Sequence, residues 1–187
     1  MATRNKLLIL LIVVGIILFG IIRGIILPQM EAKQEQYLLD QQNPVTHDLE
    51  SLLPYKYKYM GKATNLINLY QHLPLAELEE TYHFFPEKFT VEITYKEKVS
   101  AIDEFRLKAS LIYNSVAAFS LIDNLEEIHY IFSGDSFTVT RSDMKRVFGE
   151  NLSELLTNEM WKEKVQDRIS DKSFTLTAFQ ENFINKK

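Results

Sequence analysis

The chain contains no cysteine, which excludes disulfides, thiol nucleophiles, cysteine-based metal centres and a lipoprotein-type acylation site. Glycine is scarce as well, with six in 187 residues, and none of them sits in a phosphate cradle. Gly61-Lys62 followed by Thr64 has the outline of a phosphate loop, but that loop needs a glycine five positions before Gly61, where Lys56 stands, and a hydroxyl at Ala63. Four histidines, His47, His72, His83 and His129, lie far apart in sequence with no His-Glu-x-x-His spacing, and no Gly-x-Ser-x-Gly elbow occurs. The adjacent carboxylates Glu79-Glu80 and Glu126-Glu127 point in different directions on either a helix or a strand, which disfavours a shared acid–base pair. The sequence therefore leads to the expectation of no catalytic, cofactor-binding or metal-ligating residues.

Acid is absent from the first thirty residues. There, Leu7 to Leu27 form an apolar run whose only charge is Arg23, and as a helix it would span roughly 31 Å, the thickness of a bilayer core. A cleaved signal peptide is the rival reading. The run exceeds the usual apolar length of such peptides and no small-x-small site follows it, so a signal anchor is favoured. Arg4 and Lys6 precede the run, which by the positive-inside rule leaves the N-terminus cytoplasmic and the rest outside the cell membrane. Arg23 lies about a turn from the outer end, where it can snorkel to the headgroups. Gly20 and Gly24 have the small-xxx-small spacing that permits close helix approach, and thus a homodimer.

The expected order is a cytoplasmic N-terminus at 1–6, a transmembrane anchor at 7–27, a helical stalk and linker at 28–54, an extracytoplasmic domain at 55–180 and a tail at 181–187. All 25 acidic residues follow the anchor, along with every basic residue of the 21 except Arg4, Lys6 and Arg23, a formal charge of −7 that argues against nucleic-acid binding. The stalk should stay helical from Met30 to Gln42 and stop at Asn43-Pro44. Tyr55, Tyr57 and Tyr59 alternate with Lys56 and Lys58, the period of a strand with one aromatic face. Gly61 then reads as a positive-φ turn, and Thr64 or Asn65 as the cap of a short helix that buries Leu66, Leu69, Tyr70 and Leu73. Phe89, Val91, Ile93 and Tyr95 alternate as a strand. Asp103 to Leu121 should be the main core helix, closed by Asn124 as its C-terminal cap. "EEIHYIF" and "SFTVTR" make a hairpin with His129 on its surface, and Asn151 with Glu154 suggests a capping box for a last helix to about Ile169. The fold class these segments predict is α+β: helices packed with a small, largely antiparallel sheet.

Four stretches, "YKYMGKATNLINLYQHLPL", "FTVEITY", "NSVAAFSLIDNLEEIHYIF" and "SFTVTRSDM", together resemble a bacterial family designated domain of unknown function 4825. The resemblance covers about residues 57–144. Its most specific parts are the Tyr-x-Gly turn with its helix and the Leu-Ile-Asp-Asn junction. It implies a Firmicutes protein with one N-terminal membrane or lipid anchor and a nonenzymatic surface role. Similar domains stand beside membrane metallopeptidases of the antibiotic-sensor type and anti-sigma-like segments. Many members carry an acid or Asn after the turn glycine, where this chain has Lys62. The expected function is a membrane-anchored binding or sensing domain, with Tyr59, Gly61, Lys62 and Asn65 as a surface for a protein or cell-wall partner. The alternatives are an envelope hydrolase or metalloprotein whose site is assembled only in the fold, and a passive assembly factor for another membrane protein.

Overall fold

The computed structural model describes residues Ala2 to Asn185, which divide into two units meeting between Leu39 and Asp40. The first is helical throughout: α1 (Ala2–Ile21), a π-helical turn (Ile22–Ile26) and α2 (Leu27–Gln41), the last ending just before Asn43-Pro44 as expected. The π turn has an identifiable cause. Pro28 has no N–H for the carbonyl of Gly24, and the turn immediately before it widens so that the Leu27 N–H bonds to Ile22 O. Gly20 lies just before this turn and Gly24 inside it, both with open space where a Cβ would stand. Every large apolar side chain described between Leu7 and Leu27 is exposed. By length and composition this helix could be a membrane anchor or a signal sequence.

The second unit starts with short turns. Asn43 Oδ1 accepts from the Val45 N–H, and Asp48 caps a 3₁₀ turn (Leu49–Ser51) by accepting from the Glu50 N–H. A second 3₁₀ turn (Leu53–Tyr55) leads to α3 (Ala63–Tyr70). The expected strand over Tyr55–Tyr59 does not form. Tyr55 completes the 3₁₀ turn, and Tyr57 makes only an isolated parallel bridge to Ile122. Strand β1 (Glu80–Phe85) pairs antiparallel with β2 (Thr90–Tyr95), from Glu80 opposite Tyr95 to Phe85 opposite Thr90. Phe89 was expected inside β2. It sits before the strand with φ of 52° and its ring exposed, because it closes the 3₁₀ turn at Pro86–Lys88.

Helix α4 (Glu104–Leu121), capped by Asp103, crosses over and returns to β3 (Glu127–Phe132), which therefore lies parallel to β2. A two-residue turn at Ser133-Gly134, with Gly134 at φ of 100°, leads to β4 (Asp135–Thr140). The sheet order is β1-β2-β3-β4-β5, and three of its four pairings are antiparallel. The fold is α+β.

Helix α4 was expected to bury one stripe. It buries nearly its whole circumference from Leu107 to Leu121, including Ser110, Asn114, Ser115 and Ser120. The reason is layering. On one side Ser115 bonds to the Tyr130 hydroxyl of β3 at 3.0 Å, and on the other the Tyr113 ring meets Trp161 edge-on at 5.4 Å. Between two apolar layers a helix has no wet face.

The C-terminal third differs most from expectation. A true capping box forms at Thr140 and Asp143, starting α5 (Arg141–Phe148). Asn151 and Glu154 make no such box. Their side chains bond to each other, and only a 3₁₀ turn (Leu152–Leu155) follows. The last expected helix begins again at α6 (Asn158–Trp161), passes a π turn (Lys162–Gln166) and ends as α7 (Asp167–Ser170). An unexpected α8 (Lys172–Asn182) follows, with Asp171 as its cap. Then β5 (Ile184–Asn185) pairs with β4, so part of the expected tail belongs to the fold. The final lysines lie outside the described residues.

Candidate functional site

The two segments that mark the family resemblance meet at the C-terminal end of α4. A helix leaves its last carbonyls without intrahelical donors, and here the fold supplies them. The Tyr57 N–H donates to Leu121 O at 2.8 Å, and the Asp123 N–H returns to Tyr57 O at 3.2 Å. Arg141 spreads its guanidinium over three more carbonyls: Nη1 to Phe119 O at 2.7 Å, Nη2 to Ile122 O at 2.6 Å and Nε to Leu125 O at 2.8 Å. Burial lowers the Arg141 pKa against the opposing pull of Glu126 and Asp123, yet the planar fork remains matched to three acceptors. Asn124 does not cap α4. Its Oδ1 accepts the Met60 N–H at 2.6 Å, and Met60 is buried.

The turn so fixed presents side chains outward. Tyr57 and Tyr59 are 39% and 54% exposed. Lys62 Nζ lies 4.7 Å from the Tyr57 ring centroid, and Lys58 Nζ lies 5.3 Å from that of Tyr59, both within cation–π range. Of the four residues expected to form a partner surface, Tyr59, Gly61 and Lys62 share this turn and are exposed. Asn65 is used inward: its Nδ2 donates to Tyr55 O at 2.7 Å from inside α3, whose N-terminus has no side-chain cap. Gly61 does not adopt positive φ, and a Cβ there would meet nothing. Its place in the turn is permitted by geometry and not demanded by it.

A second polar constellation escaped the sequence reading. His47, placed there in the linker, is buried, with Nε2 2.6 Å from His72 O and Nδ1 3.0 Å from the Tyr113 hydroxyl. A carbonyl only accepts, so Nε2 carries the proton, and Nδ1 of the neutral ring accepts from Tyr113 O–H. Tyr113 in turn accepts from Trp161 Nε1–H at 3.0 Å, and Gln166 Nε2 donates to His47 O at 2.7 Å. The chain of donors runs from Trp161 through Tyr113 and His47 to His72. Burial lowers the His47 pKa, and the proximity of His72 adds to this, although the backbone bond to His72 and the charge of Asp48 oppose it.

Ser142 and Lys145 have a Ser-x-x-Lys spacing that the sequence reading also passed over. Ser142 Oγ lies 2.8 Å from Thr140 Oγ1 in the first turn of α5, and no hydrogen bond joins it to Lys145 among the described residues. His129 sits on the sheet as expected, its Nε2 paired with the Glu127 carboxylate. Among the described residues no three His, Asp or Glu side chains come together as metal ligands.

The two marker segments, the crossover helix and Arg141 all fall within one continuous stretch. Residues 52–142 match a family model, Domain of unknown function (DUF4825). The DUF4825 match begins just after the first 3₁₀ turn and ends one residue past Arg141, so it contains the whole capped end of α4. His47 and Trp161, which bracket Tyr113, lie on either side of it. No curated protein and no solved structure matches the chain.

Proposed function

We propose that this protein is a nonenzymatic binding domain of the cell envelope, held at the outside of the cell membrane by its N-terminal helix, with the Tyr57–Lys62 turn as its partner-binding surface. One observation carries the reading. The backbone of this turn is fastened to α4 and Asn124, while Tyr57, Tyr59, Lys58 and Lys62 keep their aromatic and cationic groups outside. A rigid turn that presents tyrosines loses little entropy when it binds. Lysines 56, 58 and 62 stand in a stretch without an acid, in a chain that is otherwise net acidic, which suits a protein or cell-wall partner bearing anionic groups. The apolar α1, whose described large apolar side chains are all exposed, supports the anchor.

The test is site-specific photocrosslinking from Tyr59 in intact cells, comparing anchored and anchorless chains and the Lys62→Glu variant, with protease shaving to report sidedness. The expected result is a discrete adduct, either a protein or a wall polymer, that weakens with Lys62→Glu and requires the anchor. Protection of the domain from external protease, or an adduct indifferent to Lys62→Glu, overturns the reading.

A further inference from the structure

Strand β1 stands at the end of the sheet order, with β2 on one side and no strand on the other among the described residues. The ladder fixes which of its backbone groups are used. In an antiparallel pair, directly opposed residues alternate between exchanging both backbone bonds and turning those groups away. Glu79 and Lys96 continue the β1–β2 register by one step, and the Lys96 N–H donates to Glu79 O at 3.1 Å. By the same alternation Thr81, His83 and Phe85 turn their N–H and C=O groups toward β2, while Glu80, Tyr82 and Phe84 turn theirs to the open edge. Phe89, just before β2, follows this parity: its carbonyl accepts from the Glu126 and Glu127 N–H groups on the β3 side, at 2.8 and 3.2 Å. Three N–H and three C=O groups of β1 therefore face outward, and among the described residues no hydrogen bond reaches them. The strand has none of the proline, lysine or bulge that commonly blunts an exposed edge.

The side chains at these positions say what kind of strand fits. Glu80, Tyr82 and Phe84 share one face of β1 and are all half-buried. The Tyr82 ring lies 6.0 Å from that of Tyr70 in α3 and stacks on Phe84 at 6.4 Å. Of the acids around the start of the strand, Glu77 is paired with Arg106 and Glu79 with Lys96. Glu80 accepts from the Tyr82 hydroxyl, and no cation pairs with it among the described residues. Burial raises its pKa against the Tyr82 bond that lowers it, and the charge of Glu77 raises it further. A strand added at this edge would set its own side chains on the same face, about 5.5 Å from those of Glu80, Tyr82 and Phe84. We infer that the β1 edge binds an extended segment of a partner protein, antiparallel, with apolar residues opposite Phe84 and Tyr82 and a lysine or arginine opposite Glu80. A second copy does not supply this pattern, since β1 contains no lysine or arginine and its His83 lies on the other face. Self-pairing would leave Glu80 without its cation, so the same carboxylate that admits a basic strand disfavours the chain's own.

The test is an NMR titration of the full chain in detergent micelles with the end-capped heptapeptide Thr-Val-Thr-Val-Thr-Lys-Thr, whose valines and lysine fall opposite Phe84, Tyr82 and Glu80. Saturable shifts are expected at the Glu80, Tyr82 and Phe84 amides, and these three amides should gain protection from hydrogen exchange on binding. Norleucine in place of the lysine should weaken binding about tenfold, since a charge-assisted bond is lost. The reversed peptide Thr-Lys-Thr-Val-Thr-Val-Thr puts its cation opposite Phe84 and should weaken as much. N-methylation of the second valine removes the donor to Tyr82 O and should weaken binding with the side chains unchanged. In Glu80→Gln, which keeps an acceptor for the Tyr82 hydroxyl, the lysine and norleucine peptides should bind alike with little change in Tm. The inference is overturned if the shifts do not saturate by about 5 mM, if the norleucine, reversed or N-methylated peptide binds as tightly as the first, or if Glu80→Gln keeps the preference for lysine. Protection of the three amides that rises with protein concentration in the absence of peptide would give the edge to a second copy and overturn it as well.

Discussion

The Met60 N–H donates to Asn124 Oδ1 across 2.6 Å and 64 residues of chain, which fastens the turn before α3 to the junction after α4. Both partners are removed from bulk water, Met60 fully and Asn124 in part. The bond is what turns two separate sequence markers into one structural feature.

Asn124→Ala leaves the Met60 N–H buried without an acceptor and should destabilise the folded unit by about 1–2 kcal/mol. Asn124→Asp keeps an acceptor oxygen and should retain most of the stability. Denaturant midpoints for the two variants measure the difference. Equal losses for Ala and Asp would show that the amide nitrogen, and not Oδ1, is the group that matters.

Gly61 and Gly149 should respond oppositely to alanine. Gly61 has open space at its Cβ and no positive φ, so Gly61→Ala should be neutral or stabilise by about 0.4–1 kcal/mol through the unfolded chain. Gly149 ends α5 at φ 114° and ψ 158°, a region open essentially to glycine alone, and Gly149→Ala should cost about 1–3 kcal/mol. Thermal melts of the two variants provide the comparison.

The contrast between these glycines illustrates what the sequence made legible. Period-two alternation located β2 and the β3–β4 hairpin, and the apolar run located the N-terminal helix, because each signal is local. Signals that depend on the far side of the fold were not legible. Asn124 reads as a helix cap until Met60 is seen beside it, and His47 reads as linker until Tyr113 and Trp161 close over it. Helix α5 carries a local signal in its Thr140–Asp143 box, but Asn151 and Glu154 show the same spacing and only pair their side chains with each other, so spacing alone does not tell the true box from the false one. Of the expected partner surface, exposure at Tyr59 and Lys62 followed from polarity and turn position. The inward use of Asn65 depended on the Tyr55 carbonyl, whose position no spacing rule supplies.

Acid should loosen the fold through His47. Its folded-state pKa is lowered from the ordinary 6.5 by burial, so as pH falls the unfolded chain takes up this proton first. The stability is therefore complete above about 6.5 and declines as pH drops through that value toward the lowered one, by at most about 1.4 kcal/mol per pH unit. Protonation also turns Nδ1 into a donor facing a Tyr113 hydroxyl already engaged by Trp161. Asp48 favours the charged ring and His72 disfavours it, and neither reverses the sign. Melting temperatures at several pH values between about 5.5 and 7.5, above the range in which ordinary carboxylates titrate, should fall toward the acid end. His47→Gln should flatten the slope, and an unchanged slope would assign it to other groups.

Arg141 should be irreplaceable by lysine despite the conserved charge. Its three nitrogens reach Phe119 O, Ile122 O and Leu125 O from one plane, and its guanidinium carbon lies 5.4 Å from the Phe119 ring centroid. An ammonium is a compact point donor and cannot span three carbonyls held in those directions, so Arg141→Lys leaves at least one buried acceptor short and removes the stacking. The expected cost is about 1–3 kcal/mol in denaturant unfolding, and Arg141→Met should cost at least as much. Hydrogen exchange separates this from a general loss of packing. Protection should fall first at Tyr57, Asp123 and Leu125, whose amides close the end of α4, while the α5 capping box at Thr140 and Asp143 holds. Uniform loss of protection across the unit would mean that Arg141 acts through overall stability alone and not as the clamp on this helix end.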